Sequence, residues 1–344
     1  MTTHDQSARS HRKPPPVLTL TSALLAAAGA VIGGCGGGHG STQSPGDDGG
    51  PGSGNGTIGT ITKAANDSSF TTPFDATPSP DGSVVYFTAI GSDGTGGVFS
   101  TSAAGGSATR LDMGGILVSP FGITISADGT QLYVADPGND DDTTAQYGAI
   151  LALPSAGGTP TVVGGTQGLI PRGVVATASA LYFAGGATAT SPAGLYQIAL
   201  SGGTPTTIAS GPPFVDPCGV AVTSTGDIYV VDTVASPSLL ASVILVHSGQ
   251  ASEFVTDIGV GYPAGIALVQ DESALLVSGL DPSSSTDVVY RISPLGSAPQ
   301  MTSFNQTISA FNEPAGLHRA MNADIYAWAD SLANGTGTVY LLSK

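Results

Sequence analysis

The pattern Pro-x-Gly occurs at Pro120, Pro171, Pro217, Pro263 and Pro314, each time followed by a short apolar run, a turn and a second aliphatic stretch, tyrosine-bearing in most copies. A sixth copy begins at Pro73 as "PFD", with Asp75 in the glycine position. The prolines are spaced by 47, 51, 46, 46 and 51 residues. A period of this length marks units that share a core by stacking, because one unit alone cannot bury its apolar face. Proline fixes φ where the chain enters a strand. Glycine lets that strand crowd against a neighbouring backbone.

Each unit has room for four strands. In the second they read "GITIS", "QLYVAD", "GAILAL" and "TPTVVG". The turns between them, such as "ADGT" and "SAGGT", supply the positive φ that tight hairpins need. With 50 glycines, 24 prolines and 10% charged residues, the chain favours many turns over long helices. No stretch of residues 56–344 sustains an apolar period of 3.6. Four antiparallel strands repeated six times predict an all-β chain, a six-bladed β-propeller of four-stranded antiparallel blades. The blades start near residues 73, 120, 171, 217, 263 and 314. The last unit ends at "GTVYLLSK" without a fourth strand. The segment "GTIGTITKAAN" (56–66) is like the outer strands "GTPTVVGG" and "GTPTTIAS". It is expected to pair with the C-terminal strand, closing the ring and removing an open edge.

The N-terminal region reads as an address. Arg9, Arg12 and Lys13 precede the apolar run "VLTLTSALLAAAGAVI", which is short for a membrane span. The run leads into "IGGC", ending at Cys35. This resembles the bacterial lipobox and implies a signal peptide over 1–34 and a lipidated Cys35. It also implies anchorage in the cell envelope, on the outer membrane because Gly36 rather than Asp follows. Residues 35–55 are rich in Gly, Ser and Pro, a composition that suits a flexible tether. Removing residues 1–34 takes away three basic residues and Asp5, leaving six basic and 24 acidic residues, a net charge of −18. That charge argues against nucleic acid as a partner. Cys218 is the one cysteine after Cys35, so no internal disulfide is expected among residues 36–344.

The stretches "LYVADPGND" and "IYVVD" resemble NHL repeats, and "YQIALSGGTPTTIASG" is similar to YWTD-type repeats. Both likenesses fall within a superfamily of six-bladed propellers that includes the SMP-30/gluconolactonase-like proteins. The resemblance implies the fold. It leaves activity open, because such propellers serve as lactonases, lyases, receptor modules and scaffolds.

Loops between blades, and between second and third strands, gather around the axis on one face, where ligands bind. The candidate axial mouth comprises Asp75, Arg172, Asp216, Tyr262 and Glu313. The gluconolactonase resemblance implies a divalent metal on the axis. Glu313, beside Asn312, is then the ligand position, with Asp75 and Asp216 as companions, and the pattern matches no further. A second candidate cation site, for Ca²⁺ or another divalent ion, is the acidic loop with Asp136, Asn139, Asp140 and Asp142. Its spacing is not that of an EF-hand, and a solvated loop is the simpler reading. Asp136 and Asp232 end second strands at the same offset from Tyr133 and Tyr229, and the NHL resemblance implies that they brace the following loops. Asp330 lies one residue further from Tyr326. His318 stands alone in a column of small residues and reads as a packed core histidine. Cys218 reads as a buried, inert thiol. The expected function is a non-catalytic binding or scaffolding module, a monomer tied to the membrane by its lipid and facing a protein or glycan partner. The alternative is a lactonase-, lyase- or hydrolase-type enzyme with its site on the axis.

Overall fold

The computed structural model describes residues 60–138, 148–186, 192–284, 286–303, 313–332 and 337–343. Residues 55–344 belong to one compact unit, and the described part of it is six four-stranded antiparallel sheets. The first blade holds β2 (Phe70–Pro78), β3 (Val84–Gly91), β4 (Gly96–Ser102) and β5 (Thr109–Arg110). The second holds β6 (Ile123–Ile125), β7 (Gln131–Asp136), β8 (Ala149–Pro154) and β9 (Thr161–Val162). The third holds β10 (Ile170–Ala176), β11 (Ala180–Gly186), β12 (Ala193–Ala199) and β13 (Thr206–Ser210). The fourth holds β14 (Pro217–Val222), β15 (Ile228–Asp232), β16 (Ala241–His247) and β17 (Gln250–Ile258). The fifth holds β18 (Ile266–Leu268), β19 (Leu275–Asp281), β20 (Thr286–Ser293) and β21 (Gln300–Ser303). The sixth joins β22 (Pro314–Arg319), β23 (Ile325–Asp330) and β24 (Thr338–Ser343) to β1 (Thr60–Ala65). This is the six-bladed propeller that the repeat predicts.

The ring closes as expected. β1 pairs antiparallel with β24, from Thr60 opposite Ser343 to Ala65 opposite Val339. The Asn66 side-chain amide then donates to the Gly337 carbonyl at 2.7 Å, and the Ser331 hydroxyl donates to the Pro73 carbonyl at 2.7 Å. These contacts join the sixth blade to residues that precede or begin the first.

The core lies between the blades. Side chains alternate along a strand, so each blade buries both faces. In β23, Tyr326 and Trp328 pack toward the fifth blade, while Ala327 and Ala329 pack toward the first. The small side of that seam faces large residues, since Phe70, Phe87 and Phe99 cluster in the first blade with centroids 4.8 to 6.0 Å apart. Turns at the far end of the ring are held by aspartates. Asp81 accepts from the Ser79 hydroxyl at 2.6 Å and the Ser83 amide at 3.0 Å, beside Gly82 at φ 75°. These bonds to the charged form hold its pKa down at about 2.

The glycines of Pro-x-Gly stand where neighbouring inner strands touch. A β-carbon on Gly173 would collide with the Cys218 carbonyl, one on Gly265 with the Leu317 amide, and one on Gly316 with the Asp75 carboxylate.

Deleting Thr60–Ala65 removes a five-pair ladder. At about 1 kcal/mol per net hydrogen bond the loss is about 5 kcal/mol, and the melting temperature should fall by about 10 °C or more. An unchanged thermal melt would show that the ring closes without β1.

Candidate functional site

Every inner strand starts at the same end of the ring, so the residues of the Pro-x-Gly triplets surround the axis there. Four of the five candidate mouth residues form one linked set. Arg172, in the third blade, donates from Nε to the Tyr262 hydroxyl at 2.8 Å. Its Nη1 lies 3.3 Å from Asp216 Oδ1. The other Asp216 oxygen accepts from the Thr233 hydroxyl at 2.7 Å. The Tyr262 amide donates to Glu313 Oε1 at 3.2 Å. These bonds cross from the third blade to the sixth.

Aromatic rings complete the mouth. Phe121 meets Tyr262 edge to face, with centroids 5.6 Å apart, and Phe74 lies 5.3 Å from Phe121. Phe121 belongs to the second blade and Tyr262 precedes the inner strand of the fifth. In a ring of six those blades are opposite, so this contact spans the axis. Burial, with the nearby Asp216 charge, pushes the Tyr262 phenol pKa up and keeps it protonated. Burial likewise raises Glu313, which the Tyr262 amide partly offsets.

The fifth candidate, Asp75, sits one residue further along its strand than Phe74. Its Oδ2 accepts from the Ile123 amide at 2.8 Å and from His318 Nε2 at 2.9 Å, and its Oδ1 accepts from the Ala76 amide at 2.8 Å. The side chains are 5% exposed for Asp75 and 12% for His318. One carboxylate thus ties the sixth, first and second blades together at the axis. Cys218 is fully buried beside them, and burial raises its thiol pKa well above the ordinary value. A protonated, enclosed thiol is a poor nucleophile. The cavity lined by Asp75, Arg172, Cys218, His318 and the ring glycines is about 10 Å³, close to the minimum for one water molecule.

The second-strand aspartates hold loops. Asp136 accepts from the amides of Val118, Ser119 and Gly138 at 2.7, 3.0 and 2.8 Å. Asp232 accepts from those of Val215, Asp216 and Val234, and burial raises its pKa against the pull of these donors. Asp330 faces Pro314 as Asp232 faces Pro217. It is therefore the aligned residue, and Tyr326 is the one that is offset. Of the acidic-loop candidates, Asn139, Asp140 and Asp142 lie outside the described residues, as do Cys35 and Asn312. Among the described residues, no three His, Cys, Asp or Glu side chains come together at metal-ligand spacing.

The partnership of His318 with Asp75, and the aromatic contact across the axis, are not part of the sequence-based expectation. A readable trace existed for the second. Phe74, Phe121 and Arg172 occupy the same middle position of the triplet.

No protein-family profile matches the chain, and no curated protein sequence matches it. Solved structures match its fold. The PQQ-bound aldose sugar dehydrogenase of Streptomyces coelicolor is 14% identical, with a TM-score of 0.56 over 83% of this chain and 98% of that one. A gluconolactonase from Xanthomonas campestris is 13% identical, with a TM-score of 0.55 over 83% and 97%. A protein assigned as TolB from Agrobacterium tumefaciens is 15% identical, with a TM-score of 0.53 over 79% and 90%. At these identities the likeness is one of fold, and it spans enzymes and a TolB protein alike.

Asp75→Ala strips the partner from the Ile123 amide and from His318. Hydrogen bonds to a buried charge are worth about 1.5–3 kcal/mol, so denaturant melts should lose about 2–4 kcal/mol. Asp216→Ala, at a more exposed ion pair, should cost about 1 kcal/mol or less. Equal losses would contradict the assignment of Asp75 as the axial tie.

Proposed function

We propose that the chain is a lipid-anchored protein of the bacterial cell envelope, on the outer membrane, whose propeller works as a non-catalytic binding or scaffolding module. One observation carries the reading. The polar side chains at the axial mouth are engaged with one another, and the cavity behind them has room for about one water. A substrate or hydrated cation would have to fit a space of about one water between Asp75, Arg172 and His318. A partner protein or glycan needs only the outer surface of the mouth and its surrounding loops. The net charge of −18 after removal of residues 1–34 supports a partner other than nucleic acid. The likeness to NHL and YWTD repeats fits the same role.

The enzyme reading has one specific observation in its favour. Asp75 and His318 form a nearly buried carboxylate–imidazole pair on the axis, the kind of pair that general acid–base chemistry uses. If a divalent cation were part of such a site, Glu313 would be its ligand with Asp75 and Asp216 as companions.

Thermal melting of the full chain in EDTA, then with Ca²⁺, Mg²⁺, Mn²⁺ or Zn²⁺, tests the choice. A cation at about 100 times its Kd stabilises by about 2.7 kcal/mol. The binding reading expects no cation-specific rise. A rise that disappears in Glu313→Ala would replace it with the metalloenzyme.

The anchor has its own test. Two or more acyl chains, at about 0.8 kcal/mol per buried CH₂, hold a protein stably in a membrane. Cys35→Ser should move the protein from the membrane fraction to the soluble one and abolish labelling by a fatty-acid analogue. Retained labelling would refute the anchor.

A further inference from the structure

Exposed apolar side chains are unevenly distributed over the propeller. Among the described residues nine large ones are exposed, and seven of these lie on connections at the mouth end. Met113, Ile116 and Val118 are on the β5–β6 connection, Val215 on β13–β14, Leu239 and Leu240 on β15–β16, and Leu332 follows β23. The other two are elsewhere, Met301 on an outer strand and Met321 on a turn at the opposite end. Exposed apolar side chains scattered singly are ordinary on a protein surface, whereas their gathering on the connections of one end of the ring points to an interaction face.

Two of these residues are displayed by the same device. The Val118 amide is held by Asp136 and the Val215 amide by Asp232, each at 2.7 Å. Both valines stand two residues before the proline of their blade, 51% and 57% exposed. A carboxylate that clamps the backbone leaves the side chain facing solvent on a rigid support. Rigid display lowers the entropy that a partner must overcome on docking. Leu239, 71% exposed, lies on the loop that follows the Asp232 clamp.

The charges on this face are one-sided. Among the described residues of the mouth-end connections and adjoining strand ends, the cations are Lys63, Arg110 and Arg172. Arg110 is paired with Asp93 and Asp112, and Arg172 with Asp216. Asp67, Asp281 and Glu313 add further negative charge there. A second copy of this chain would bring the same acidic surface against itself, and an anionic lipid surface would be repelled in the same way.

We propose that the mouth face docks a basic, apolar polypeptide segment. Its apolar side chains cover Val118, Val215 and the Leu239–Leu240 pair, and its lysines or arginines meet the surrounding carboxylates. The proposal rests on the binding-module reading and names the chemistry of the partner.

The test uses the full chain carrying Cys35→Ser and three short fluorescent synthetic peptides, alternating Lys/Leu, Glu/Leu and Lys/Ser. The Lys/Leu peptide should bind about tenfold tighter than either control, and added salt should weaken it. The triple variant Val118→Ser, Val215→Ser, Leu239→Ser should lose about tenfold in affinity for it with an unchanged melt, since all three side chains are exposed. Met321→Ser, at the opposite end, should bind as the parent does. Equal binding of the Glu/Leu or Lys/Ser peptide would overturn the proposal, as would full affinity in the triple variant. So would concentration-dependent self-association abolished by the triple variant, which would make the occupant a second copy. Binding to phosphatidylglycerol vesicles that the triple variant loses would make it a lipid surface. The cation melts probe the axis and the peptides probe the rim. A Glu313-dependent cation effect with peptide binding intact therefore rejects the module reading alone, and lost peptide selectivity without a cation effect rejects this proposal alone.

Discussion

A blade of this propeller has two apolar faces and no means of covering either alone. Each face is completed by the neighbouring blade, so the six clusters of buried side chains all lie at seams. The chain's connectivity holds five of these seams. The sixth joins the first blade to the last, and it depends on β1 completing the sheet that β24 would otherwise leave with an open edge. Ala64 and Ala65 enter the core of that seam, and Ile61 packs against the seam on the other side of the sixth blade. One short strand therefore contributes to two cores and to a ladder of hydrogen bonds. A ring built this way gains stability mainly when all its seams are complete.

Closing the ring determines what remains at its centre. The inner strands approach so closely that glycine is needed where they touch. The few positions that depart from the small-residue pattern then occupy the axis. Asp75 replaces one ring glycine and bonds to three partners, His318 reaches it from the last blade, and Arg172 and Tyr262 bridge the mouth with Phe121. Buried polar groups need partners, and here they find them in one another. At the axial mouth these side chains are engaged with one another, and the space beside Asp75 is about that of one water molecule.

The legibility of these features in the sequence follows their range along the chain. Turns, strand alternation and the 46- to 51-residue period are local or periodic, and they locate the blades closely. The closing strand was readable because β1 carries the character of an outer strand although it lies at the other end of the chain. Counted from Tyr326, Asp330 falls one residue out of line with Asp136 and Asp232. The residue that sets the register is Pro314, which faces Asp330 directly. The pairing of Asp75 with His318 was illegible for a physical reason: the two are 243 residues apart and meet only across the closing seam. Neither residue has a neighbour in sequence that announces the other. Phe74 and Phe121 were visible as residues, but their meaning depends on which blades stand opposite each other.

The acidic character of the chain separates into carboxylates with different tasks. Asp67, Asp81, Asp93, Asp128 and Asp281 have lowered pKa values. For Asp81, Asp93, Asp128 and Asp281 hydrogen bonds lead the causes, and for Asp67 bonds from Ser69 and Ala108 outweigh a desolvation that acts the other way. A group whose folded pKa is depressed stabilises the fold above its unfolded value, and that stability is lost as pH falls through the folded one. Asp232 and Glu313 run the other way. Burial raises them, so they favour the fold when protonated and oppose it as pH rises through their folded values. Asp232 nevertheless spends its buried charge on holding the backbone that presents Val215, as Asp136 holds the backbone that presents Val118. At both positions one buried carboxylate braces the loop through three backbone amides, and each loop carries an exposed valine. The clamp that orders each loop thereby also fixes the backbone from which the valine faces solvent.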